Sequence, residues 1–211
     1  MVTRSKRSLI VLAALVAFAT PALAGPPLIC HPFETGGGKL IAWGSGPSWN
    51  SPQPGYDLKN LVADTNAVLT SDAPLLTRME NMRRATIYAT RDPEIANELL
   101  KSVVARALST TNDGRAWFDA GYLIESYKQA VHMRAHTKPE LRAWAAVDET
   151  IKIDGYGWVK KAMAIQGPSA EMEFAASLMT SGNTAAAHRA KATAAAGKGS
   201  LVAQNIAKLA F

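Results

Sequence analysis

YDLKNLVADTNAVLTSDAPLLTRMENMRRATIYATRDPEIANELLKSVVARALSTTNDGRAWFDAGYLIESYKQAVHMRAH, residues 56–136, decides the fold. Asp57 stands where a helix N-cap belongs, and Leu58, Leu61, Val62, Thr65, Val68 and Leu69 follow at helical spacing. At about 100° per residue they share one face. Asp72 with Pro74 opens a second helix, with Leu75, Leu76, Met79, Met82, Thr86 and Ile87 along one side. Asp92-Pro93 opens a third, with Ile95, Ala96, Leu99, Leu100, Val103, Val104 and Ala107 inward. Proline in the first helical turn costs no hydrogen bond, because that N–H has no intrahelical partner. Thr110-Thr111-Asn112-Asp113-Gly114 is a turn, and a fourth helix runs from Arg115 towards His136, ending before Lys138-Pro139.

The pattern continues downstream. Pro139 opens a fifth helix through Ile151, Tyr156–Ile165 makes a sixth, and Gly167-Pro168 resets the chain for a seventh carrying Met172, Ala175, Ala176 and Met179. An alanine-rich eighth, Thr184–Ala196, and a last helix, Leu201–Phe211, follow. No segment alternates β-branched residues with period two, so no sheet is expected. Links of roughly three to seven residues favour antiparallel neighbours. The expected fold is therefore all-α: eight or nine helices in stacked antiparallel hairpins, solenoid-like, behind a non-helical N-terminal arm. Such hairpins resemble the tetratricopeptide-type superhelical class in architecture, without its 34-residue period or its Trp-Leu-Gly-Tyr pattern.

Residues 1–24 read as a signal peptide. Arg4, Lys6 and Arg7 give a positive start, Leu9–Ala19 is an unbroken apolar run, and Ala22-Leu23-Ala24 is an A-x-A cleavage site. The run is about half the length of a bilayer span. The division expected is 1–24 signal peptide, 25–56 irregular arm and 57–211 a single helical domain, with the protein in a bacterial periplasm or secreted and no membrane span after cleavage. The leader holds three of the 23 basic residues and none of the 17 acidic ones, so the net charge of +6 falls to +3 in the mature chain. That balance and export argue against nucleic acid. The one cysteine, Cys30, cannot make an internal disulfide.

The arm is rich in Gly and Pro and carries Trp43 and Trp49. Its Gly36-Gly37-Gly38-Lys39 lacks the spacing of a phosphate loop and has Leu40 where Ser or Thr belongs. The tryptophans are expected to anchor the arm in apolar grooves of the body; the competing reading makes them a partner-binding surface.

Cys30-His31 is a thiol beside an imidazole, fitting copper, zinc or redox chemistry; a buried apolar thiol, lipidation or an intermolecular disulfide are the other readings. His132 and His136 have the i, i+4 spacing for one metal, and Glu125 lies within about 20° of His132 on the helical wheel. Ala116, Leu123, Tyr127 and Ala130 lie opposite, so this line of possible ligands is expected to face water. Met133 stands where a zincin helix needs Glu. Arg83 lies on an apolar face and must find a carboxylate or carbonyls, or snorkel out along its stem, with Asp64, Asp119, Glu125 and Asp148 as possible partners; the competing reading is an anion or substrate-carboxylate clamp. No nucleophile elbow is present, and no catalytic residue or enzymatic activity is expected.

Leu28-Ile29-Cys30-His31-Pro32, the Asp64-Thr65 helix and Asp154-Gly155-Tyr156-Gly157-Trp158 together resemble a group of exported bacterial proteins with no assigned activity. The resemblance implies an envelope location. The function expected is an exported helical interaction or scaffold module without a cofactor, binding a protein or peptide; the alternative is a copper or zinc envelope protein.

Overall fold

The computed structural model describes residues 27–137 and 152–209, residues 134–137 as backbone only. Among these residues all regular structure is helical and no strand occurs. A 3₁₀ turn, Leu58–Asn60, leads into α1 (Leu61–Val68), followed by α2 (Leu75–Ala89), α3 (Pro93–Ser109), α4 (Gly114–Thr137), α5 (Gly155–Gln166), α6 (Ala170–Met179), α7 (Gly182–Ala195) and α8 (Leu201–Lys208). The leader and the helix expected from Pro139 lie outside the described residues, as do Ala210 and Phe211; the last helix, expected to run to Phe211, ends at Lys208 with Leu209 as its C-cap.

Side-chain caps fix most of the starts. Asp92 accepts from the N–H groups of Glu94 and Ile95, Asp113 from Arg115 and Ala116, Asp154 from Gly157, Ser169 from Met172 and Ser200 from Ala203. Each removes an orphan donor of the first turn. α2 starts at Leu75 behind Pro74, which stands at the N-cap and offers no side-chain bond.

α4 is the centre. α2, α3 and α5 pack on it, α6 pairs with α7, and α2 also touches α1 and α6. The sequence pattern gave α4 a core face and a water face. The structure buries it nearly all round, with Phe118, Asp119, Tyr122, Leu123, Ile124, Ser126 and Tyr127 fully covered. Contact with α5 is closest where two glycines meet. A Cβ at Gly121 would lie 2.5 Å from the carbonyl oxygen of Gly155, and one at Gly155 would lie 2.7 Å from that of Gly121. Backbone cannot yield as a flexible side chain does, so the helices would have to separate. Gly121→Ala is expected to cost about 1–3 kcal/mol in urea denaturation. Gly197→Ala, whose Cβ would meet nothing within 4 Å, should leave stability nearly unchanged.

Candidate functional site

The arm between residue 27 and Tyr56 has no helix or strand. Its main-chain polar groups therefore need partners from elsewhere, and α2 supplies most of them. Glu80 accepts from the N–H of Phe33 at 3.1 Å. Asn81 accepts from the N–H of Ile41 at 2.9 Å and donates to the carbonyl of Lys39 at 3.0 Å. Arg84 donates to the carbonyl of Ile41 at 2.7 Å. The Tyr88 hydroxyl donates to the carbonyl of Ala42 and accepts from the N–H of Gln53, both at 2.8 Å. Two other amides do the same work: Asn205 of α8 brackets the N–H and C=O of Glu34, and Gln129 of α4 accepts from the N–H of Leu28. This explains why α2, polar on average, is buried from Leu76 to Met82 without a break. Its second face lies under the arm.

Arg83 is the hub. Its partner is none of the four carboxylates expected but Glu80, one turn back on the same helix. Arg83 Nε and Nη2 each lie 2.8 Å from a Glu80 carboxylate oxygen. Its Nη1 donates to the carbonyls of Ile29 (3.2 Å) and Trp49 (2.9 Å), at the two ends of the arm. The guanidinium is fully buried. With these four bonds made, little of it remains to clamp an external anion.

Trp43 and Trp49 pack on the core, as the docking expectation has it. Trp43 sits edge-on to Tyr88 at 5.5 Å, and the Arg83 and Arg84 guanidinium carbons lie 5.1 and 5.5 Å from its ring centroid. Tyr56 stacks on the same Tyr88 at 4.3 Å and donates to Asp64 at 2.6 Å. Residues 44–51 close a loop: the Gly44 N–H donates to the Ser51 carbonyl at 2.9 Å, and the Ser51 hydroxyl donates to the Ser48 carbonyl. Pro47, Ser48 and Asn50 are exposed, and Trp49 is partly so.

The candidate metal ligands are scattered. Cys30 is buried, with its Sγ 3.9 Å from Met133 Sδ. Burial pushes the Cys30 thiol up to about 11 against the pull of Arg83, and burial followed by Arg83 pushes the His31 imidazole down. Glu125 does not face water. Its Oε1 accepts from the Tyr156 N–H at 3.1 Å and from Lys128 Nζ at 2.8 Å, because α5 crosses α4 there. His132 is exposed, and the His136 side chain lies outside the described residues. Among the described residues no group of three or more His, Cys, Asp and Glu side chains is placed to hold one metal ion.

The Cys30 values give a prediction. A thiol raised from 9.0 to about 11 keeps its proton in the folded state after the unfolded chain has lost it. Its contribution to stability is therefore fully present below about pH 9 and lost as pH rises through about 11. Iodoacetamide at pH 8 should alkylate Cys30 far more slowly in the native protein than in urea, because the thiolate is the nucleophile. Equal rates would show an open, reactive thiol.

Two polar clusters carried no sequence signal. Arg78 of α2 and Arg106 of α3 converge on the Oδ2 atom of Asp119 of α4. Tyr156 at the start of α5, His188 of α7 and Glu173 of α6 form a line: the Tyr156 hydroxyl lies 2.7 Å from His188 Nε2, and His188 Nδ1 lies 2.5 Å from Glu173 Oε2. Each member comes from a different helix, so no spacing in the chain announces the set. No protein-family model, curated protein or solved structure matches this chain.

Proposed function

We propose that this chain is an exported helical interaction module that offers the arm, through its 44–51 loop, to a protein or peptide partner. One observation carries the reading. Trp49 sits partly exposed in a closed loop of small residues, and its carbonyl is held by the buried Arg83. A large aromatic fixed in place before binding loses little conformational freedom on binding, which is the economy of a recognition anchor. The leader-like residues 1–24 support export. The test is a photo-crosslinking amino acid at Ser48, illuminated in the source cells. A discrete adduct that disappears in Trp49→Ala, with the arm still protected from protease, is the expected result. No adduct from a folded, protected arm sinks the reading.

The copper or zinc alternative draws on the soft pair Cys30 and Met133, with His31 beside it in sequence. Elemental analysis of protein from its native compartment separates the two: stoichiometric metal lost in Cys30→Ala favours the alternative.

A further inference from the structure

We propose that Tyr156 is a nucleophilic acceptor site that takes an acyl group from an activated ester onto its phenolic oxygen, with His188 as the base and Glu173 as the group that orients it. The inference is independent of the arm and of the interaction reading.

The hydrogen-bond directions follow from the donor inventory. Glu173 as a carboxylate only accepts, so the proton at the 2.5 Å contact sits on His188 Nδ1. Neutral His188 then has its lone pair on Nε2, 2.7 Å from the Tyr156 oxygen, and the phenol donates to it. This is the carboxylate–imidazole–hydroxyl order in which a base draws the proton from a nucleophile and a third group fixes the tautomer. Glu173 and His188 are nearly buried and thus locked in place, while Tyr156 remains partly exposed. Lys160 Nζ lies 4.7 Å from the Tyr156 ring centroid, where its charge favours negative charge growing on the phenol. Burial, with Glu173 and Asp154 nearby, raises the Tyr156 pKa. The phenol therefore does not ionise by itself near neutrality, and attack requires the imidazole.

The step balances. The Tyr156 oxygen bonds to the ester carbonyl carbon, the phenolic proton passes to His188 Nε2, the bond to the leaving oxygen breaks, and the leaving group departs with its electron pair. The product of this step is the acyl-tyrosine, with the proton on His188. The Tyr156 and Gly157 N–H groups, which a helix start would offer to an oxyanion, are already given to Glu125 and Asp154, so the carbonyl has to be activated by its own leaving group, as in an activated ester.

The other tyrosines are internal controls. Tyr122 and Tyr127 are fully buried, and Tyr88 donates to a backbone carbonyl. Tyr56 is partly exposed like Tyr156, but its hydroxyl donates to a carboxylate, Asp64, a far weaker base than imidazole. The experiment treats the full chain with p-nitrophenyl acetate near pH 7.5 and maps acetyl groups by mass spectrometry over time. General-base help is typically worth about 10²–10⁴-fold, so Tyr156 should be acetylated at least about 10²-fold faster than Tyr56. His188→Gln should bring it down to the Tyr56 rate while the Tyr56 rate and the helical circular dichroism stay unchanged. Equal rates at Tyr156 and Tyr56 in the unmodified protein overturn the proposal, and that comparison needs no variant. Fast acetylation that survives His188→Gln in a folded protein overturns it as well.

Discussion

Glu80→Ala is expected to destabilise the protein by about 3–5 kcal/mol and to release the arm. Glu80 is 1% exposed and its carboxylate takes four bonds: two from Arg83, one from Arg84 at 2.8 Å and one from the Phe33 N–H. Without it, Arg83 becomes a buried guanidinium with carbonyls for company and no counter-charge, which is the costly half of a broken ion pair. The loss then spreads along the arm. Arg83 holds Ile29 and Trp49, so an Arg83 that moves towards water drags two anchor points with it, and Arg84, which loses the same carboxylate, loosens a third at Ile41. The measurement is urea denaturation paired with limited proteolysis. The variant should be cut between Leu40 and Tyr56 well before global unfolding, whereas the parent resists. Glu80→Gln separates charge from hydrogen bonding, since it keeps an acceptor oxygen for Phe33 and loses the ion pair. It should fall between parent and Glu80→Ala. A Glu80→Ala protein within about 1 kcal/mol of the parent, with its arm still protected, would remove Glu80 from the centre of this account.

The helices were legible because their punctuation is chemical and local. Asp92-Pro93, Asp113, Asp154 and Ser169 each satisfy orphan N–H groups within four residues, so their meaning does not depend on the rest of the fold. The faces were less legible. A pattern rule assigns polar residues to water, yet Arg78, Glu80, Asn81 and Arg83 are buried beneath an irregular segment that has no secondary structure of its own to satisfy its backbone. A polar helix face covered by such an arm reads the same as one facing solvent. Glu125 was misplaced for a related reason: the crossing of α5 at Gly121 and Gly155 is a tertiary fact with only two scattered glycines as its trace. The Arg83 partner, Glu80, stands on the same helix at i, i+3, a neighbour that helical spacing alone supplies without any tertiary crossing. Docking of Trp43 and Trp49 was readable because two large aromatics in a short arm have little alternative to packing.

Asp119→Ala is expected to be the other severe lesion, again about 3–5 kcal/mol. Asp119 is fully buried, and its Oδ2 carries Arg78 at 2.5 Å together with Arg106. Arg78 also donates from Nε to the carbonyl of Ala73 at 3.0 Å and from Nη2 to that of Thr70, so it ties the α1–α2 connection to α4. Burial outweighs the two arginines and raises the Asp119 carboxyl from 3.8 to about 6. The sign follows. The folded state holds this proton more tightly than the unfolded chain, so the associated stability is present below about pH 3.8 and is lost as pH rises through about 6. The parent should therefore show a downward slope in unfolding free energy across that window, superimposed on its other titrations, and Asp119→Ala should lack that component. The pair itself need not be net stabilising, because its charges were drawn out of water to make it. Arg78→Leu with Asp119→Leu tests this: removing both charges should recover part of the loss seen in Asp119→Ala. The remainder should stay near about 1–3 kcal/mol, the cost of leaving the Thr70 and Ala73 carbonyls without a donor. Were the double variant as unstable as Asp119→Ala, an unpaired Arg78 would not be the source of the damage, and Arg106, which loses the same carboxylate in both variants, would be.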